Sequence, residues 1–94
     1  MSRRVVWKFA LDLAGGVSTT FQIPEGARFL HCAAQDNKVG LWFEVPVGET
    51  RTQQRAFRIF GTGEATIGDH LTYVGTAMFS DGAYVFHAYE VDLS

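Results

Sequence analysis

Apolar and polar residues alternate along most of this chain with a period of two. Successive side chains of a β-strand point to opposite faces of a sheet, so this pattern predicts strands that bury one face. The runs are short, rich in Val, Phe, Thr, Tyr and Trp, and separated by glycines. No run keeps the 3.6-residue apolar period of a helix. The predicted strands are 5–11, 17–23, 28–35, 40–47, 55–60, 71–79 and 83–91.

The segments between these strands have the composition of turns and loops. An Asp-Gly pair tolerates positive φ, so the segment around Asp81 predicts the tight turn of a hairpin. Proline and glycine favour the dihedral angles of a β-turn, and polar segments favour exposed loops. The predicted turns are Gly15-Gly16, Pro24-Glu25-Gly26, Asp36-Asn37-Lys38, Gly61-Thr62-Gly63 and Ser80-Asp81-Gly82, and the predicted loops are 48–54 and 64–69.

Seven short strands joined by turns predict a mainly β protein, with the strands arranged as a compact antiparallel β-sandwich or a small barrel. The 94 residues suffice for one core, so we expect a single β domain over residues 1–94. Several strands are apolar on both faces; in the last strand Val85 and Tyr89 alternate with Phe86 and Ala88. Either another subunit or a ligand covers an outer face, or the core alternates imperfectly. We expect a homo-oligomer.

Composition excludes several classes of protein. The net charge is −2, from eight basic and ten acidic residues, which does not suit binding to duplex nucleic acid through its phosphates. Cys32 is the one cysteine, so an intrachain disulfide and a thiolate zinc site are excluded by count. No apolar run reaches the length of a membrane span. We expect a cytoplasmic protein with no membrane partner.

No set of residues in the sequence predicts catalysis, a metal site or a cofactor. His31, His70 and His87 lack the close spacing of metal ligands. Cys32 has no positive environment to activate it, so we interpret it as a core residue. Most carboxylates fall at turns and strand ends, where they are ordinarily solvated. We therefore expect a non-enzymatic protein.

Basic and aromatic residues are interleaved in the fifth predicted strand. Arg55 and Arg58 alternate with Phe57 and Phe60, and Arg58 lies in the middle of the strand. Guanidinium groups match phosphate geometry and aromatic rings stack on nucleobases, so these are the components of a nucleotide site. Backbone N–H groups of a glycine-rich turn can also hold an anion. The candidate ligand-binding residues are Trp7, Trp42, Arg55, Arg58, Gly61, Thr62, Gly63 and His87.

Each candidate also has a structural interpretation. An arginine of this strand can pair with Glu44 or Glu90 across the sheet. Gly61-Thr62-Gly63 lacks the lysine of a P-loop and can be an ordinary tight turn. The sequence leaves both interpretations open.

Five segments of the chain match a known pattern: Val6-Trp7-Lys8-Phe9, Pro24-Glu25-Gly26-Ala27, Phe57-Arg58-Ile59-Phe60-Gly61-Thr62-Gly63, Tyr73-Val74-Gly75-Thr76 and Val85-Phe86-His87-Ala88-Tyr89-Glu90. Together these segments resemble a family of short phage and bacterial proteins of unknown function. This resemblance implies a phage or prophage product located in the host cytoplasm. Small phage proteins of this size include homo-oligomeric sponges that sequester cyclic-nucleotide signals of host defence.

Two functions follow as expectations from these observations. The first is sequestration of a small anionic ligand, such as a cyclic nucleotide or a related nucleotide immune signal. The alternative is a protein-interaction or virion-assembly component with no small-molecule ligand.

Overall fold

Seven β-strands make up almost all the regular structure of the computed structural model, which describes residues 3–13, 17–66 and 70–93. Their number and order confirm the prediction from the alternating pattern. The predicted Gly15-Gly16 turn and residues 67–69 of the second predicted loop lie outside the described residues. The strands are β1 (Arg4–Leu11), β2 (Thr19–Pro24), β3 (Arg28–Gln35), β4 (Lys38–Pro46), β5 (Thr52–Gly61), β6 (Leu71–Phe79) and β7 (Tyr84–Val91).

The strands form two antiparallel sheets that pack face to face. One sheet has three strands in the order β1-β4-β3, and the other has four in the order β2-β5-β7-β6. The fold is therefore a sandwich and not a closed barrel, which decides between the two predicted architectures. The helices of the described residues amount to one 3-10 turn, Ser80–Gly82, and none is long and apolar enough to cross a membrane.

Two hairpins use backbone conformations that their sequences favour. Asp36 and Asn37, with φ of 52° and 61°, join β3 to β4 through a two-residue turn. Ser80 and Asp81, with φ of 52° and 55°, begin the connection from β6 to β7. Asn and Asp tolerate positive φ better than most residues, because their short polar side chains bond to nearby backbone. Both predicted turns are confirmed.

The core lies between the two sheets and is built from the inward-facing residues of each strand. Phe43 of β4 and Phe57 of β5 are fully buried, with ring centroids 6.0 Å apart, and so join the two layers at their centre. Phe9 and Phe21 extend this aromatic cluster at 5.2 Å. The remaining buried members of the core are Leu11, Ile23, Cys32, Val39, Leu41, Val45, Ile59, Ala77 and Ala88.

The sheets approach each other most closely where β3 meets β6. A Cβ atom added at Gly75 would lie 2.5 Å from the Cβ of Cys32, so only glycine fits there. β3 and β6 are the edge strands on this side of the sandwich, and β1 and β2 are the edges on the other side. The sandwich is thus nearly closed on one side, and its two layers are joined on the other by side chains such as Phe9 and Phe21.

A β-bulge changes the predicted alternation of β3. The pairing with β4 shifts between Phe29 and His31, so that Leu30 is an extra residue, 45% exposed. Phe29 and Cys32 consequently both face the core, although strict alternation placed them on opposite faces. The predicted loop 48–54 is also too long, because Thr52 to Gln54 already pair with β2.

Candidate ligand-binding surface

Two of the three arginines between residues 51 and 58 are neutralised by carboxylates. Arg51 bonds both carboxylate oxygens of Glu49, at 3.2 and 3.1 Å, and lies 3.5 Å from Glu25. These hydrogen bonds lower the pKa of Glu49 to about 2. Arg55 forms a bidentate pair with Glu90, at 2.7 and 2.8 Å, and its guanidinium lies 5.0 Å from the ring centroid of Phe43. The structural interpretation of Arg55 is therefore correct.

Arg58 differs from both of these arginines. Its guanidinium carbon lies 5.0 Å from the ring centroid of Phe60. Its Nε is buried and lacks a hydrogen-bond partner, and no carboxylate within the described part of the chain forms an ion pair with it. An unsatisfied buried N–H is uncommon and costs free energy, so it calls for an explanation.

Arg58 lies on the outer face of the four-stranded sheet, the face turned away from the core. Its neighbours in the strand, Phe57 and Ile59, belong to the core, and Arg58 itself is paired with Tyr89 of β7. Phe60, also on the outer face, is only 2% exposed, because the side chains around it cover it. We call this patch the outer aromatic face and define it as Arg58, Phe60, Thr62, Tyr73, Thr76, His87 and Tyr89.

Three aromatic rings of the outer aromatic face are in edge-to-face contact. The ring centroid of Tyr89 lies 5.5 Å from that of Phe60 and 5.6 Å from that of Tyr73. Tyr73 is on the edge strand β6 and is 56% exposed, so a flat ring of a ligand could stack on it. The patch thus combines the buried ring of Phe60, the exposed ring of Tyr73 and the guanidinium of Arg58, which forms no ion pair within the described ranges of the chain.

His87 connects three strands through hydrogen bonds. Its Nε2 lies 2.8 Å from the Thr62 hydroxyl at the end of β5, and its Nδ1 lies 3.0 Å from the Thr76 hydroxyl of β6. Thr76 in turn bonds the hydroxyl of Tyr73. Both ring nitrogens are therefore occupied, so His87 acts here by positioning the two threonines.

The turn Gly61-Thr62-Gly63 is a β-turn, since the Glu64 N–H donates to the Gly61 carbonyl at 3.0 Å and Gly63 has a φ of 89°. The N–H of Gly61 donates to the Glu64 carboxylate at 2.9 Å. One donor that an anion could use is thus occupied by a side chain of the turn itself. Thr62 and Gly61 also line a cavity of about 440 Å³, together with residues 82–86.

The two tryptophans do not join the outer aromatic face. Trp7 is on β1 of the other sheet, 46% exposed, on the same face as its partner Phe43. Trp42 is on the opposite face of that sheet, packed against Gly40 and 6.0 Å from the ring of His31. The predicted ligand-binding residues therefore divide into separate groups. Only Arg58, Thr62 and His87, with the glycines next to Thr62, come together.

A second cavity, of about 540 Å³, lies beside the Arg55–Glu90 pair and is lined by both residues. Among the described residues, no three His, Cys, Asp or Glu side chains are grouped as metal ligands. Cys32 is buried in the core as predicted, and burial raises its pKa. In the part of the chain that the structure describes, Arg58 is therefore the residue whose side chain has a buried N–H with no hydrogen-bond partner.

The candidate residues left out four members of the patch, Phe60, Tyr73, Thr76 and Tyr89, although Phe60 was noted beside Arg58. For Tyr89 the signal was the presence of apolar residues on both faces of β7, where Tyr89 and Val85 alternate with Ala88 and Phe86. Which outer residues would meet depended on strand order, because β6 and β5 flank β7 only in the folded sheet.

The fold and the surface define a class of protein: a two-layer antiparallel β-sandwich with a polar-aromatic patch on the outer face of its larger sheet. The chain belongs to the family described as Domain of unknown function (DUF7352), whose sequence model matches residues 2–94. No curated protein and no solved structure matches the chain significantly.

Proposed function

We propose that this protein is a non-enzymatic binding protein that sequesters a small anionic ligand carrying a flat ring, of the nucleotide class. The ligand would bind on the outer aromatic face. The observation that carries this proposal is the state of Arg58: a half-buried guanidinium whose Nε lacks an acceptor and which no described carboxylate neutralises.

A phosphate oxygen would supply the hydrogen-bond acceptor that the Nε of Arg58 lacks. Removing a guanidinium from water without a partner is costly, whereas a charge-assisted hydrogen bond to phosphate is among the stronger polar contacts. Arg51 and Arg55 cannot serve as readily, because each would have to leave a carboxylate. The ring of Phe60 under Arg58 holds the cation in place and reduces the ordering that binding requires.

The aromatic residues around Arg58 suit the flat part of a nucleotide. Tyr73 offers an exposed ring, held in position by the ring of Tyr89 and by its hydrogen bond to Thr76. Stacking of a base on such a ring contributes about 1–3 kcal/mol. The cavity of about 440 Å³ beside Thr62 is in the size range of small-molecule sites and extends the surface along the sheet.

Binding fits this surface better than catalysis. His87 would be the natural general base beside Arg58, but its two ring nitrogens are bonded to Thr62 and Thr76. A histidine that activates a hydroxyl is usually oriented through its second nitrogen by a carboxylate, which stabilises the imidazolium that forms. The second nitrogen of His87 meets the hydroxyl of Thr76, which cannot stabilise that charge as a carboxylate would, so the arrangement suits a fixed binding surface better.

The resemblance to short phage proteins suggests a biological setting for such binding. In that setting the ligand is a cyclic nucleotide or a related nucleotide signal of host immunity, and the protein acts as an anti-defence sponge in the host cytoplasm. Sequestration requires tight and stoichiometric binding without turnover.

Calorimetry and thermal-shift measurements against a panel of cyclic di- and trinucleotides and adenosine-ribose signals test the proposal. We expect at least one ligand to bind, Arg58→Gln to weaken its binding by at least about tenfold, and Arg28→Gln to leave it unchanged. Arg28 is the matched control because it is an exposed arginine on the other sheet. Heating the complex should return the ligand intact. Absence of binding across the panel, or equal loss in both variants, would contradict the proposal.

The alternative is a protein-interaction or virion-assembly component, favoured by the exposed apolar residues of the β6–β7 hairpin. Met78, Tyr73 and Tyr84 are 64%, 56% and 62% exposed. An affinity pull-down from infected cells that recovers one stoichiometric partner, lost in Met78→Lys, would favour this function. Recovery of the protein alone would weigh against it.

A further inference from the structure

The edge strand β1 is less protected than the other three edges of the sandwich. β3 and β6 each carry a bulge, at Leu30 and Val74, and lie beside one another. β2 ends in Pro24. β1 pairs with β4 over eight residues without a shift in register. Bulges, prolines and covered edges are the usual means by which proteins prevent edge-to-edge pairing.

Three of the five exposed residues of β1 are apolar. Val5, Val6 and Trp7 are 43%, 53% and 46% exposed. Charged side chains on an edge strand normally oppose association, but the two cations of β1 reach across the outer face of the sheet, away from its free edge. Arg4 donates to the Gly26 carbonyl at 3.1 Å, and Lys8 bonds the Gln35 side chain.

The backbone groups on the free edge of β1 can be identified from its pairing with β4. The Arg3 carbonyl accepts from the Val47 N–H at 2.9 Å, so Arg3 is bonded toward β4. Bonded and non-bonded positions alternate along an antiparallel pair, so Val5, Trp7 and Phe9 also bond toward β4. The N–H and C=O groups that point outward therefore belong to every second residue: Arg4, Val6, Lys8 and Ala10. Pro46, which has no N–H, lies opposite Arg4 at a position that is not hydrogen-bonded between β1 and β4, as this alternation requires.

We propose that two copies of this chain associate through β1, in an antiparallel pair around a two-fold axis at Trp7. This register places Val6 opposite Lys8 and Arg4 opposite Ala10 of the other copy, so that every outward N–H and C=O of these four residues is paired. It brings the two Trp7 side chains face to face at a non-hydrogen-bonded position, where cross-strand side chains are closest. The two three-stranded sheets become one continuous sheet.

The ends of β1 carry charges that favour this partner and this direction. Arg3 and Arg4 precede the strand's apolar centre, and Asp12, whose side chain is 77% exposed and 3.3 Å from Lys38, follows it. Antiparallel pairing puts the basic end of one copy beside the acidic end of the other. A parallel arrangement would bring like charges together. The interface does not involve the outer aromatic face, which belongs to the other sheet, so the two proposals can fail separately.

Sedimentation velocity tests whether two copies associate, and two matched variants test whether they do so through the free edge of β1. Val6→Pro removes an outward N–H without removing a bond to β4, whereas Val6→Thr keeps the N–H and the β-branched shape. We expect wild type and Val6→Thr to be dimers, and Val6→Pro to be a monomer with an unchanged far-UV circular dichroism spectrum. A monomeric wild type at its highest soluble concentration, or a Val6→Pro variant that remains a folded dimer, would overturn the proposal.

Oxidative cross-linking tests the register without relying on the proline variant. In the proposed pair, Trp7 lies opposite Trp7, and Val5 lies opposite Phe9. Trp7→Cys should therefore form a disulfide-linked dimer readily, while Val5→Cys, at the same exposed edge, should not. Cys32 is buried and is common to both variants. Equal cross-linking by the two cysteines, or none by Trp7→Cys, would overturn the register.

Discussion

Arg55 and Glu90 form a bidentate ion pair beside the ring of Phe43, at the rim of the core. Glu90 lies opposite Phe57 in the ladder, diagonal to Arg55 on the same inward face. Arg58 is three residues further along β5, and its side chain is on the outward face. The inner arginine is therefore bonded within the fold, whereas the Nε of the outer one has no hydrogen-bond partner among the described residues.

Breaking the inner pair should destabilise the protein. Glu90→Ala leaves a partly buried guanidinium beside Phe43 without its acceptor, and we expect the free energy of unfolding to fall by about 2 kcal/mol. Arg28→Ala removes a more exposed partner of Glu44 and should cost no more than about 1 kcal/mol. Urea denaturation measures both. In a double-mutant cycle, Arg55→Ala with Glu90→Ala should cost less than the sum of the single changes, and strict additivity would contradict a direct pair.

Gly75 should tolerate no side chain. A methyl group there would overlap the Cβ of Cys32, so we expect Gly75→Ala to lower the free energy of unfolding by about 1–3 kcal/mol. Gly61→Ala is the matched control, because the nearest atom to its added methyl is 3.7 Å away. Thermal and chemical denaturation measure the difference. Cys32→Gly should recover part of the loss in the Gly75→Ala background, and a failure to recover any would place the strain elsewhere.

Glu49 should titrate far below a normal glutamate. Its side chain accepts from the guanidinium and from the backbone N–H of Arg51, and its pKa is lowered from 4.5 to about 2. A carboxylate whose pKa falls on folding adds stability above pH 4.5, and this stability is lost as the pH falls toward 2. NMR titration should give a higher pKa in Arg51→Gln, still below 4.5 because the backbone N–H remains. Arg28→Gln should leave the Glu49 titration unchanged.

His87 should matter for stability more than an exposed histidine does. His87→Ala removes the hydrogen bonds to Thr62 and Thr76 and should lower the free energy of unfolding by about 1–2 kcal/mol. His31→Ala, on the exposed face of the other sheet, should cost less than about 0.5 kcal/mol. Denaturant titration compares them. Equal costs would mean that the bonded histidine contributes little to holding β5, β6 and β7 together.

The number and the positions of the strands could be predicted from the sequence because alternation is a local signal. The bulge at Leu30 could not, since an extra residue changes which side chains face inward without interrupting the run. Strand order was also beyond the sequence, because pairings such as that of β5 with β7 join residues far apart in the chain.

The candidate site stays a prediction, and the structure brings only part of it together. Arg58 lies in the middle of a strand among aromatic residues, and its position on an outer face is compatible with binding. Arg55 carried the same signal, but its partner Glu90 is 35 residues away, so only the folded ladder identifies it as structural. Trp7 and Trp42 are on a different sheet from Arg58, which no local pattern could indicate.

The order of the strands has a consequence for the rate at which this chain folds. Of the five strand pairings, two are hairpins, and the other three join strands separated by at least one other strand in sequence. Each distant pairing requires a long loop to close before its contacts can form, and topologies of high contact order fold in milliseconds to seconds. The β3–β4 and β6–β7 hairpins can form early, but neither layer is complete until β1 and β5 have found their distant partners.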